Sequence, residues 1–144
     1  MRLAVKLVLQ LTSLVDKICC RAHNISMNWK VIFHEEFKTE FLDLPQEVQN
    51  KLIANARLLE QYGATLSRPY VDTLKGSSFS NMKELRFNAD DGVWRVAFAF
   101  DPSRQAVLLV AGDKSGVNQK RFYRSLIGLA DRRFSNYLDN YKKR

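Results

Sequence analysis

The side chains that could do chemistry in this 144-residue chain are Arg, Lys, Glu, Asp and Tyr, and they gather in one central stretch and in the helix-like segment that follows it. Glu84 and Arg86 stand two apart in MKELRF, Arg95 interrupts the apolar run VWRVAFAF, Asp113 and Lys114 close the next apolar run, and Tyr123 follows in KRFYRSL. Such a set holds a proton acceptor, proton donors and cations. It suits cleavage of RNA by its own 2′-hydroxyl, which needs a base, a donor for the leaving oxygen and positive charge for the phosphorane, and no metal. Simple phosphate binding would use the same groups.

Other chemistries find little support. The chain has only two histidines, His23 and His34, and its two cysteines, Cys19 and Cys20, are adjacent, so no metal site is expected. Residues 112–116, GDKSG, lack the spacing of a phosphate-binding glycine loop. No cofactor is expected, and neither a Ser-His-Asp nor a Cys-His set can be assembled; His34 reads as a helix-start residue. Neighbouring cysteines cannot hold good disulfide geometry with each other, which fits a reduced, cytoplasmic protein. No apolar run approaches the roughly 18 residues a bilayer span needs. The net charge of +8 and an isoelectric point near 9.7 imply a positive field that attracts polyanions.

The elements that must position these groups follow from periodicity. Residues 29–33 read as a strand and residues 34–43 as a helix with Phe37 and Phe41 one turn apart. Pro45 suits the first turn of a second helix carrying Val48, Leu52, Ile53, Ala56 and Leu59, with Gly63 as its C-cap. Residues 64–80 read as an irregular loop. Three strands follow, at 82–87, 93–100 and 105–111, joined by the turns NADDG and DPSR. A last helix runs from about 118 to 141. Paired as a meander, the strands turn Leu85, Phe87, Trp94, Val96 and Phe98 toward the helices. Glu84, Arg86 and Arg95 then face away, over a floor of alanines with room for a phosphate. An arginine on an open sheet face is ordinarily just solvated, and Glu84 could merely pair with Arg86 or Arg95. Three such residues on one face raise the weight of the functional reading.

Residues 1–26 differ in character. A signal-peptide-like core after Arg2 is broken by Lys6 and Gln10 and lacks a small-residue cleavage site. Leu3, Leu7, Leu11 and Leu14 share a helical stripe, and Met27 directly precedes NWKVIFHEEF, so the segment is read as an N-terminal extension or as sequence upstream of the natural start. Residues 27–144 form the expected single domain, with 19 Lys+Arg against 14 Asp+Glu.

The blocks LKG (74–76), KELRF (83–87), GVWRVAFAFDP (92–102), VLLVAGDKSG (107–116) and KRFYRSLI (120–127) resemble the RelE/ParE superfamily of type II toxin-antitoxin toxins, most of all its HigB-related, phage-derived branch. The resemblance covers residues 27 to about 141. It implies an α+β fold in which a small, mostly antiparallel sheet carries helices on one face. It further implies a cognate antitoxin, often a helix-turn-helix protein, and either mRNA cleavage on the ribosome or, as in ParE members, inhibition of DNA gyrase; a module that merely docks an antitoxin is the remaining alternative. Matched residue by residue, Arg86 and Arg95 resemble phosphate-binding residues, Asp113 and Lys114 fall where HigB-like toxins place acid-base residues, and Tyr123 falls near a catalytic tyrosine of the RelE branch. Lys75, Lys120 and Arg121 are the RNA-binding candidates. The sequence departs from the pattern in carrying Glu84 where RelE-type enzymes have a second strand lysine, and Ser115 where HigB-type enzymes have histidine. Glu84 or Asp113 is the expected base, and Lys114 or Tyr123 the group that assists departure of the leaving oxygen.

Overall fold

Alternating apolar residues in the middle of the chain form the inner strands of a five-stranded sheet, its strands lying side by side in the chain order first, fifth, fourth, third, second, in the computed structural model, which describes residues 29–143. The readings made for residues 1–26 and for a start at Met27 lie outside the described residues. β1 (Lys30–Phe33) runs parallel to β5 (Gln105–Asp113), whereas β2 (Val71–Thr73), β3 (Met82–Ala89), β4 (Gly92–Phe100) and β5 pair antiparallel. The helices are α1 (Glu35–Leu42), α2 (Gln46–Tyr62) and α3 (Gln119–Lys142).

Local chemistry accounts for the boundaries. The His34 side chain accepts the Glu36 N–H and caps α1. Pro45 is the N-cap of α2 and does not enter its first turn. Gly63 caps the other end at φ +56°, and a Cβ there would lie 1.7 Å from Trp29 Nε1, so the position admits only glycine. The β3–β4 hairpin turns on Asp90 and Asp91, both at positive φ, while Gly92 is already a paired strand residue. Two left-handed residues are what a two-residue hairpin of the strand's twist demands, and Asp tolerates that conformation.

The α+β class and the antiparallel meander agree with the sequence reading. The short edge strand β2 lies inside the stretch read as loop, where three residues are too few to show alternation. The placement of the helices on one face needs correction. α1 and α2 cover the face of Leu85, Val96, Phe98 and Leu108, but α3 covers the opposite face, with Leu126, Ala130 and Phe134 packed against Met82, Ala97, Ala99 and Leu109. The floor of alanines is therefore a helix seat. Small side chains let α3 approach closely, and Gly112 completes the seat, since a Cβ there would meet the Phe122 ring at 2.9 Å. Buried Arg133 ties α3 around the sheet edge to α1, donating to Glu36, Glu40 and the Leu109 carbonyl.

Candidate functional site

Cross-strand register builds the site. β2 sets Asp72 opposite Glu84, and β3 sets Arg86 opposite Arg95, so four charged residues share the face that α3 partly roofs. An irregularity in the β4–β5 ladder then decides what β5 adds: Ala97 pairs with Val110 but Phe98 pairs with Leu108, leaving Leu109 as the extra residue of a bulge. Beyond a bulge the inward and outward positions exchange. Gly112 accordingly lies opposite Arg95, whereas Asp113 lies opposite Trp94, on the other face.

Glu84 and Arg95 are the buried centre, at 4% and 6% exposure. Their nearest ion-pair atoms, Glu84 Oε2 and Arg95 Nε, stand 3.9 Å apart, and neither atom finds a hydrogen-bond partner within the protein. Arg95 instead donates from Nη1 to the Trp94 carbonyl at 2.8 Å. Glu84 Oε1 lies 3.6 Å from Arg86 Nη1 and receives a long hydrogen bond, 3.4 Å, from the Tyr123 hydroxyl. Arg86 is shared with Asp72, whose Oδ2 lies 3.3 Å from Arg86 Nη1 and 2.6 Å from Arg68. Lys114 Nζ stands 5.8 Å from the Tyr123 ring centroid, in cation–π range.

These surroundings displace Glu84, Lys114 and Tyr123 toward their neutral forms, and Asp113 toward its charged one. Burial pushes the Glu84 carboxyl up, beyond the opposing pull of the Tyr123 hydrogen bond and the two arginines. Burial and then the charges of Arg95 and Arg86 push the Lys114 ammonium down. Burial raises the Tyr123 phenol, which stays protonated and able to donate. At Asp113 burial works upward, but hydrogen bonds from the Ser115 hydroxyl, the Ser115 N–H and the Val93 N–H outweigh it and hold the carboxyl low. That carboxylate organises the end of β5 and the loop that carries Lys114.

Of the residues singled out in the sequence, Glu84, Arg86, Arg95, Lys114 and Tyr123 come together, and Asp113 does not. Lys75 and Lys120 meet in a groove beside Tyr123, and exposed Arg121 points elsewhere on the helix. Asp72, which holds Arg86, was not identified from the sequence. Its one signal is the opposite charge of Arg68 four residues before it, and that spacing carries little weight outside a helix. The open floor inferred from the alanines is also replaced: under the α3 roof Glu84 and Arg95 are buried, while Asp72, Arg86, Lys114 and Tyr123 keep partial exposure.

The model of a family described as phage derived protein Gp49-like matches residues 39–135, a span that includes every member of the cluster. The chain is 44% identical over 108 residues to a Mycobacterium tuberculosis protein bearing the toxin name HigB3, covering 75% of this chain and 92% of that protein. It is 39% identical over 100 residues to a protein of the same organism bearing the toxin name HigB2, covering 69% of this chain and 49% of that longer protein.

Proposed function

Because the chain belongs to the phage-derived Gp49-like family, with HigB-like relatives, we propose that it is the toxin of a toxin–antitoxin module and acts as a metal-independent endoribonuclease on translated mRNA. Its partners are then mRNA on the ribosome and a cognate antitoxin of the helix-turn-helix kind, met in the cytoplasm. The observation that carries this reading is the buried Glu84–Arg95 pair with an unsatisfied polar atom on each member. Burying two charges without full hydrogen bonding is costly, and such a site is better explained by a ligand group than by stability.

In the proposed reaction, Glu84 takes the proton from the ribose 2′-hydroxyl as its oxygen bonds to the neighbouring phosphorus. Arg86 and Arg95 neutralise the phosphorane, and Lys114 gives a proton to the 5′-oxygen as its bond to phosphorus breaks. The products are a 2′,3′-cyclic phosphate and a 5′-hydroxyl end. Tyr123 holds Glu84 in place and excludes water above it. Asp113 fixes the Lys114 loop and moves no proton.

Expression without antitoxin tests the reading. The unaltered chain arrests growth and leaves discrete breaks within translated codons by primer extension after brief induction, while Arg95→Ala does neither. Since Arg95 is buried, Arg86→Ala, at a position that keeps a quarter of its side-chain exposure, provides a second variant with less risk to folding. Undiminished cleavage by both variants removes the arginines from the mechanism. A DNA-damage response with intact mRNA would replace the nuclease with gyrase inhibition.

A further inference from the structure

Beside the cluster, between the first turns of α3 and the loop after β2, lies a groove of about 720 Å³. Lys75, Lys120 and Arg124 stand around it, Ile127, Gly76 and Gly128 line its apolar part, and the Tyr123 ring forms the wall it shares with the buried cluster. The loop that carries Lys75 and Gly76 is tied to α3 just beyond them: the Ser77 hydroxyl and the Ser78 N–H both donate to Asp131, the latter at 2.8 Å. Gly128 adds a specific feature, because a Cβ built there meets nothing within 4 Å. The empty space above this helical glycine is the groove itself. A cationic rim, an apolar floor and an aromatic wall fit the phosphate and the base of one nucleotide better than a peptide, whose backbone would find few polar partners here.

We propose that this groove is a nucleotide subsite of the same ribonuclease site. It seats the unpaired nucleotide next to the scissile phosphate, with the base against Ile127 and Tyr123 and the phosphate among Lys75, Lys120 and Arg124. The proposal rests on the nuclease reading for its meaning, but its binding step is separable from cleavage.

The test is fluorescence anisotropy with a labelled single-stranded RNA hexanucleotide carrying 2′-O-methyl riboses, which cannot be cut through their own 2′-oxygens. The unaltered chain binds it, and Gly128→Leu, which fills the groove and replaces a poor helix former, weakens binding by about tenfold or more while the thermal midpoint holds or rises. Lys75→Ala and Lys120→Ala each lower the salt dependence of log K by about 0.7. Lys51→Ala, an exposed cation on α2, serves as the control for net charge. Full-affinity binding by Gly128→Leu, or no binding by the unaltered chain, overturns the proposal. Groove-dependent binding of the methylated probe by a chain that leaves mRNA intact in cells would support the subsite while removing the nuclease.

Discussion

The Tyr123 hydroxyl on α3 reaches Glu84 Oε1 on β3 at 3.4 Å, and this contact closes the buried carboxylate–guanidinium pair from above. It also ties the helix that carries the groove to the strand that carries the pair.

Tyr123→Phe removes the hydroxyl and keeps the ring beside Lys114 and Phe122. A hydrogen bond this long contributes little to folding, so the urea midpoint corresponds to a change of less than about 1 kcal/mol. Cleavage falls by about tenfold or more, because Glu84 loses the donor that orients it. A stability loss as large as the activity loss would mark Tyr123 as a packing residue only.

Glu84→Gln separates charge from shape. Burial holds the folded pKa of Glu84 above its ordinary 4.5, so the folded chain binds this proton more tightly than the unfolded chain. The stability from this group is complete below the unfolded pKa and declines as pH rises through the folded one. Gln imitates the protonated acid and escapes that decline. At pH about 7 the variant unfolds at the same or a higher urea concentration than the parent, and its midpoint varies less with pH. Loss of stability at that pH would show that the Arg95 attraction outweighs the burial of Glu84.

The pH profile of cleavage tests the acid-base assignment. Its acidic limb, from Glu84, lies above 4.5, and its basic limb, from Lys114, lies below 10.5. Glu84→Gln lowers the rate by about a hundredfold or more and removes the acidic limb, whereas Lys114→Ala removes the basic one. A basic limb that persists in Lys114→Ala assigns the donor elsewhere.

Arg133→Ala tests the tie between α3 and the sheet edge. Glu36 and Glu40 keep about half their side-chain exposure and regain water when the arginine is gone, so their share of the loss is small. The Leu109 carbonyl at the bulge loses its buried donor, and the arginine stem leaves a gap. Denaturant unfolding registers a loss of about 2 kcal/mol, against less than about 1 kcal/mol for Glu36→Gln.

Strand parity places Glu84 and Arg86 on one face of β3 and Lys83 on the other; pairing β4 with β3 as a hairpin adds Arg95 to the first face, and the register agrees. That much is local, because successive side chains of a strand point to opposite sides whatever the rest of the chain does. Helix positions were equally legible where capping residues mark them, as His34, Gly63 and Asn118 do.

Two decisions belong to the tertiary structure. Alternating alanines in β4 say that one sheet face is small, but a small face serves an open cleft or a closely packed helix equally well. Only the return of α3, seated on Ala97, Ala99 and Gly112 and anchored by Arg133, made it the second and turned an open basic surface into a roofed pair beside a groove. Likewise Asp113 is adjacent to Lys114 in the chain, yet the bulge at Leu109 sends it to the opposite face and leaves Lys114 at the site. A bulge depends on how one strand must shift against its neighbour, a long-range fit that residue types within either strand do not carry.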